Sequence, residues 1–336
     1  MLKTNKMITF QRKGFDLLKY NLFTMKLNKF STNLPKVVQT TTDILSFRQF
    51  GFLPEIYSVL DKLKIIAPTS IQSVAIPRIL AKKHTFFTSQ TGTGKTLCYL
   101  IPLLHDLKLS EQVQKERLTL EKRPRALIIV PTRELAQQIE EVCKLFIYDV
   151  PLKIESFYVG KKYKSEVNCV NEGIDILIST PERFQNHWGK GNVFSTKLSH
   201  LIIDELDTLL DAGNEDFIKR IMEVFLKPTE DTITKQVILC SATTTKNINE
   251  FIKGNFPDNE KFVQIIDKST NVNLSNIKHE FIHVTDYDKY PTLLKILQEY
   301  SKYFKMNFSL MLFCNSINCA RKTELFLSEN GITILK

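Results

Sequence analysis

The sequence has no long apolar run and no closely spaced cysteine pair. Its richest apolar stretch, residues 97–104, contains a proline and is far shorter than the roughly 20 residues of a membrane-spanning helix. None of the six cysteines forms a CxxC pair, and three lie in apolar runs, which is typical of reduced core thiols. These absences exclude a membrane-spanning helix and favour buried, unpaired cysteines.

Acidic residues are almost absent from residues 1–42, which hold eight lysines and arginines and one aspartate. This segment supplies +7 of the formal charge of +10. The net charge of the whole chain therefore says little about nucleic-acid binding by the residues after 42. A nucleic-acid site there must be inferred from local motifs. The composition is typical of a mitochondrial presequence, and a disordered basic tail that helps to hold RNA is the alternative.

From residue 44 onward, apolar runs of strand length alternate with stretches of helical periodicity. Strands separated by helices predict an α/β fold, a parallel sheet with helices on both faces. Such sheets bind ligands at the carboxyl ends of their strands, so functional residues are expected directly after them. The predicted strands are 84–88, 126–130, 154–159, 175–179, 200–203, 237–240 and 262–266.

The segment after strand 84–88 has the pattern of a phosphate-binding loop that opens a helix. Its two glycines let backbone N–H groups turn towards phosphates, and the helix N-terminus adds partial positive charge. Lys95 is expected to reach the β- and γ-phosphates and Thr96 to bind Mg²⁺. Ser89 stands where the strict pattern has glycine. The predicted nucleotide-binding residues here are Ser89, Gln90, Thr91, Gly92, Thr93, Gly94, Lys95 and Thr96.

Two adjacent carboxylates, Asp204 and Glu205, follow strand 200–203. Carboxylates at the tip of a buried strand are costly unless a positive charge faces them, and magnesium would supply that charge. We expect Asp204 to bind the metal and Glu205 to orient or deprotonate the attacking water in γ-phosphate hydrolysis. A solvated acidic turn is the alternative. Together with the phosphate loop, this predicts an NTPase and leaves its substrate open.

The ordered motifs along residues 44–335 resemble those of the DEAD-box RNA helicases. Residues 68–72 resemble the family's Q motif, and Phe47 has the spacing of its upstream aromatic residue. The segments similar to motifs Ia, Ib, the DEAD motif, motif III and the start of motif IV are 131–138, 180–183, 204–207, 241–243 and 309–316. The resemblance implies a P-loop NTPase of RecA-like fold that uses ATP and Mg²⁺.

The resemblance also implies roles for single residues. In this family the glutamine binds the adenine edge and the aromatic ring packs on adenine, so Gln72 and Phe47 favour ATP over GTP. The implied catalytic residues are Lys95, Asp204, Glu205, Ser241 and Thr243. The implied RNA contacts, which hold sugar-phosphate without base preference, are Pro131, Thr132, Arg133, Gly160, Thr180, Pro181 and Arg183. Alternatively, the two arginines cap carboxylates and 180–181 simply starts a helix.

Three residues depart from the family pattern. Leu206 replaces an alanine beside the catalytic carboxylates. Lys161 replaces a second glycine after Gly160, which should stiffen that turn and add a positive charge. Glu182 replaces a glycine next to Arg183 and brings a negative charge near an expected phosphate contact. The last two are expected to weaken or reshape RNA binding.

The motifs divide the chain into four predicted parts. Residues 1–43 form the basic extension or presequence, 44–266 the ATP-binding domain, 267–276 a linker, and 277–336 part of a second RecA-like domain. In that last part we expect strands near 277–284 and 310–313 and helices near 287–303 and 319–328. Motifs V and VI are missing, so we expect an incomplete reading frame or, failing that, a shortened protein.

The resulting hypothesis is an ATP-dependent RNA helicase that opens short duplexes or remodels ribonucleoprotein. We expect a monomer in the mitochondrial matrix that acts on RNA, including mitochondrial ribosome precursors, with the nucleus or cytoplasm as the alternative location. An RNA clamp without turnover is the second hypothesis, since the missing arginines are worth about 10³–10⁵ in rate. A DNA helicase is the third, and dependence of binding on the 2′-hydroxyl would exclude it.

Overall fold

The computed structural model describes residues 37–39, 46–90, 92–227, 234–256, 262–266, 280–285, 287–303 and 311–332. The chain divides into two compact units; the described residues 37–266 belong to the first and the described residues 280–332 to the second. The domain boundaries drawn from the sequence stay predictions. Within the described residues, no helix is both long and apolar enough to cross a bilayer.

The first unit contains a sheet in which every described strand pairing is parallel. Its strands lie in the order β1-β8-β2-β7-β6-β3-β5-β4. They are β1 Val37–Gln39, β2 His84–Thr88, β3 Ala126–Ile129, β4 Ile154–Phe157, β5 Ile176–Ser179, β6 His200–Ile203, β7 Gln236–Ser241 and β8 Phe262–Ile266. All seven predicted strands are present, and β1 is one that the sequence analysis assigned to the extension.

Helices cover both faces of this sheet, as predicted. Those of the first unit are α1 Pro54–Lys62, α2 Ser70–Leu80, α3 Lys95–Gln114, α4 Arg133–Ile147, α5 Tyr163–Asn171, α6 Pro181–Gly189, α7 Leu206–Asp211, α8 Glu215–Leu226 and α9 Lys246–Asn255, with a 3₁₀ helix at Phe47–Phe50. Successive side chains of a strand point to opposite faces. Ile128 of β3 therefore packs with α1–α4 and Ile129 with α5–α9, in two separate cores.

Local sequence explains where the helices next to the site begin. Thr69 and Gln72 form a reciprocal capping box at the start of α2, which satisfies two N–H groups that the helix leaves free. Thr132 caps α4 by accepting the N–H of Leu135. Three cysteines, Cys98, Cys143 and Cys240, are buried and unpaired, which confirms the interpretation as core thiols for these three. The other three cysteines are also unpaired but only half-buried.

The described part of the second unit contains two helices, α10 Lys289–Tyr303 and α11 Ile317–Glu329. Both were predicted, and they meet through the rings of Tyr290 and Phe326, 5.0 Å apart. The strands predicted near 277–284 and 310–313 are absent from the described parts of those ranges. A strand requires a hydrogen-bonded neighbour, and the described residues of this unit provide none.

Candidate functional site

Three neighbouring strands bring the predicted catalytic segments to one edge of the sheet. The order β2-β7-β6 places the phosphate loop, the segment 241–243 and the carboxylates of 204–207 side by side. The backbone N–H of Ser89 donates to the carbonyl oxygen of Ser241 at 3.3 Å. Parallel strands of one sheet thus collect residues from distant parts of the sequence, as the sequence analysis expected.

The conformation of the phosphate loop depends on two glycines with positive φ and on a hydrogen bond between two of its hydroxyl groups. Gly92 and Gly94 have φ values of +82° and +85°, a region that favours glycine. Ser89, which replaces glycine in the strict pattern, is buried and its Oγ lies 2.7 Å from Oγ1 of Thr93. The ammonium of Lys95 donates to the carbonyl oxygen of Ser89 at 2.8 Å. Thr91 lies outside the described residues.

Gln72 links helix α2 to the phosphate loop. Its side-chain Oε1 accepts the N–H of Thr69 at 2.8 Å, and its Nε2 donates to the carbonyl oxygen of Gly94 at 3.0 Å. The side chain is only 3% exposed. The other predicted adenine contact, Phe47, is 2% exposed and packs edge-on against Phe50. The roles of both residues towards adenine stay predictions.

Asp204 is a buried carboxylate with two fixed donors. The hydroxyl of Tyr99 donates to its Oδ2 at 2.8 Å, and the N–H of Glu205 donates to its Oδ1 at 2.9 Å. Burial raises the pKa of Asp204, against these two hydrogen bonds and the charge of Lys95. A buried carboxylate close to Lys95 of the phosphate-binding loop fits a magnesium site.

Glu205 sits in a left-handed turn, with φ 50° and ψ 51°. This conformation is uncommon for a residue with a side chain. Burial raises the pKa of Glu205, and the charges of Asp204 and Asp207 raise it further. A carboxylate with a raised pKa is better suited to accept a proton near neutral pH, which agrees with the predicted role.

The sequence analysis gave no role to Asp207, which joins two of the catalytic segments. Its Oδ2 accepts the N–H of Ala242 at 3.2 Å, and the N–H and hydroxyl of Thr243 at 3.1 and 2.9 Å. The hydroxyl of Ser241 in turn donates to the carbonyl oxygen of Thr243. The signal in the sequence that could have pointed to Asp207 is that it is the third carboxylate of the segment 204–207.

Four of the predicted RNA contacts line one open cleft at the neighbouring strands β3 and β5. The cleft has a volume of about 310 Å³, and its lining is Pro131, Arg133, Val159, Thr180, Pro181, Glu182 and Asn214. The guanidinium of Arg133 lies over the ring of Tyr158 at 5.7 Å. A Cβ added at Gly160, whose φ is +116°, would stand 3.3 Å from Nη1 of Arg133. Thr132 caps α4 beside the cleft.

The structure confirms the capping alternative for one arginine. The Nε of Arg183 donates to Oε2 of Glu166 at 2.7 Å, and its Nη2 donates to the carbonyl oxygen of Lys161. Pro181 also begins a helix, α6, as the second alternative stated. Neither observation excludes contact with RNA, and the RNA roles of these residues stay predictions. Glu182 is exposed in the cleft.

Comparison with known proteins agrees with this geometry. A family model described as DEAD/DEAH box helicase matches residues 69–251, more than half of the chain. The chain belongs to the DEAD/DEAH box helicase family. This confirms the resemblance seen in the sequence, together with the RecA-like fold of its nucleotide-binding unit.

Three relatives of this DEAD-box chain are considerably longer than it is. "DEAD-box ATP-dependent RNA helicase 39" of Arabidopsis thaliana is 29% identical over 86% of this chain and 46% of its own length. "ATP-dependent RNA helicase RhlB" of Shewanella piezotolerans is 32% identical over 78% and 57%. "ATP-dependent RNA helicase mrh4, mitochondrial" of Sclerotinia sclerotiorum is 30% identical over 66% and 42%. The chain thus spans about half the length of the curated relatives it matches.

Two solved structures share the fold. A hypothetical ATP-dependent RNA helicase from Sulfolobus tokodaii superposes with a TM-score of 0.52 at 27% identity, covering 63% of this chain and 56% of that one. A DEAD box protein from Methanococcus jannaschii gives a TM-score of 0.57 at 23% identity, covering 86% and 72%. The second likeness concerns the fold alone.

Proposed function

We propose that this chain is part of an ATP-dependent RNA helicase that couples ATP hydrolysis to RNA binding and to local unwinding or ribonucleoprotein remodelling. The observation that carries the proposal is the joining of three segments at one sheet edge. Lys95 and the carboxylate pair flank the same loop, and Asp207 ties the carboxylate segment to Thr243. The RNA-facing cleft opens on the neighbouring strands.

Each residue has a definite part in the proposed reaction. The loop N–H groups and Lys95 hold the β- and γ-phosphates, while Gln72 binds the adenine edge. Thr96 and Asp204 would hold magnesium, which would neutralise charge on the phosphate oxygens. Glu205 accepts the proton of the attacking water, and its raised pKa favours that step.

RNA-stimulated ATPase activity tests this proposal. We expect Lys95→Ala and Glu205→Gln to abolish the stimulated activity, whereas Lys253→Ala, which changes an exposed lysine on α9, leaves it unchanged. Binding of RNA without any turnover in the unaltered chain would support the clamp instead. Folded protein that fails to bind magnesium-ATP would contradict both.

We further propose a mitochondrial location and a role in mitochondrial RNA metabolism or ribosome assembly. The acid-poor composition of residues 1–42 supports it, as does similarity to a relative named as mitochondrial. Import of a fusion carrying residues 1–43 into isolated mitochondria tests the location. Retention of that fusion outside the organelle would contradict it.

A further inference from the structure

Basic side chains are concentrated next to the cleft, although residues 43–336 carry a net charge of only +3. The segments 157–165 and 183–203 contain no aspartate or glutamate. They pack together, because the ring of Tyr163 stacks on His187 at 4.5 Å and its hydroxyl accepts Nδ2 of Asn192 at 2.6 Å. Their basic residues are Lys161, Lys162, Lys164, Arg183, Lys190 and Lys197.

Two of these basic groups already have partners within the unit. The ammonium of Lys161 donates to the carbonyl oxygen of Ser156 at 2.8 Å and to its Oγ at 3.1 Å. Arg183 is paired with the buried carboxylate of Glu166. The ammonium that the sequence analysis placed on the turn at Lys161 is therefore held by Ser156, and it lies within 3.9 Å of Glu155.

Three other lysines form an exposed patch, which we call the lysine patch: Lys162, Lys164 and Lys190. The ammonium of Lys190 lies 4.6 Å from the ring centroid of Tyr163, next in sequence to the other two. Among the residues that the structure describes, the ammonium groups of Lys162 and Lys164 have no hydrogen-bond or ion-pair partner. Lys162 shares an open pocket with Glu155 and Glu166, but these carboxylates already have basic partners in Lys161 and Arg183. Clustered ammonium groups repel one another, and a polyanion removes that repulsion.

The lysine patch continues directly from the cleft. Val159 lines the cleft, and the turn at Gly160 leads within two residues to Lys162. Lys162 precedes the first residue of α5, and its side chain offers no acceptor to the N–H groups there. Lys162 and Lys164 thus stand at the N-terminus of α5, whose partial positive charge adds to theirs and favours phosphate.

We propose that the lysine patch binds phosphates of the RNA strand beyond the cleft and so lengthens the RNA footprint of this protein. The proposal rests on the proposed function, since it assumes RNA in the cleft. It adds contacts made by side chains that the family motifs do not include. Glu182, the acid in the cleft, lies outside both acid-free segments.

The salt dependence of RNA affinity tests it. The chain is compared with the triple variant Lys162→Gln, Lys164→Gln, Lys190→Gln and with a matched control, Lys115→Gln, Lys227→Gln, Lys253→Gln, which removes three exposed lysines elsewhere. Each contact with single-stranded RNA contributes about 0.7 to the slope of log affinity against log salt. We expect the triple variant to lose about 2 from that slope and the control to keep it.

The length of the RNA gives a second readout. With an oligonucleotide short enough to fill only the cleft, the triple variant should bind as the unaltered chain does, and the loss should emerge with longer RNA. The double variant Lys162→Gln, Lys164→Gln keeps the contact of Lys190 with Tyr163, so it replaces the triple variant if that one unfolds. ATP hydrolysis without RNA should be unchanged.

The outcomes separate the two proposals. If the triple variant binds RNA with the same salt slope as the control, the proposed role of the lysine patch is wrong, whereas the proposed function stands. The lysines would then face an acidic protein partner or solvent. Failure of the unaltered chain to bind RNA at low salt would overturn the proposed function and, with it, the patch. A reduced slope confined to longer RNA would support the patch.

Discussion

Replacing the two glycines of the phosphate loop by alanine should have unequal costs. Both have a positive φ, so either alanine would be strained by about 1–2 kcal/mol. A Cβ at Gly92 would meet nothing within 4 Å, whereas one at Gly94 would lie 2.4 Å from Nε2 of Gln72. Gly94→Ala therefore displaces the Gln72 amide, and Gly92→Ala does not.

Gly94→Ala has an additional cost because the displaced amide of Gln72 loses its hydrogen-bond acceptor. Its Nε2 donates to the carbonyl oxygen of Gly94 in a nearly water-free position. A buried donor without a partner costs about 1–3 kcal/mol. We therefore expect Gly94→Ala to lower the free energy of unfolding by that much more than Gly92→Ala.

Urea unfolding of the nucleotide-free chain measures the two costs. The same pair of substitutions is then made in a Gln72→Ala background, which removes the amide and isolates its coupling to Gly94. There the difference between the two alanines should vanish. Equal costs in the unaltered background, or an unchanged difference without Gln72, would refute the assignment of the clash.

Three further substitutions test other contacts. Tyr99→Phe leaves Oδ2 of Asp204 without its donor and should lower the free energy of unfolding by about 1–3 kcal/mol, whereas Tyr148→Phe, at a 92% exposed residue, should have no effect in the same urea titration. Glu182→Gln removes the negative charge from the cleft and should tighten RNA binding, as measured by anisotropy; weaker binding would contradict this. Burial lowers the pKa of His200, so stability should fall as pH drops below about 6.5, where the unfolded histidine gains a proton. His200→Gln should flatten that fall.

The strands and the phosphate loop were predictable because their signals are local. Short apolar stretches followed by turn residues identified seven strands, and each observed strand lies within two residues of its predicted ends. β1 was not predicted because Val37–Gln39 is too short to show periodicity. It also lies in a segment whose composition indicated a presequence or basic tail. Its pairing with β8 depends on residues more than 200 positions away.

Side-chain partners could not be predicted in the same way. Two interpretations of Arg183 were open from its sequence context, and only the packing of α5 against α6 brings Glu166 within 2.7 Å of it. Likewise, Lys161 was expected to add a positive charge to its turn, and only the fold shows that Ser156 on β4 accepts a hydrogen bond from its ammonium. The sequence determines which residues are charged, but the surrounding fold determines what each charged group contacts.

The short helix α7 gives a physical basis for the proposed coupling of ATP hydrolysis to RNA binding. It begins directly after Glu205, carries Asp207, which holds Thr243, and is followed by Asn214, which lines the cleft. Six helical residues span about 9 Å, so a shift at the carboxylates reaches the cleft through one rigid element. Leu206, fully buried where the family has alanine, anchors this helix in the core. A larger anchor makes α7 harder to move independently of β6, which favours transmission of such a shift over its local absorption.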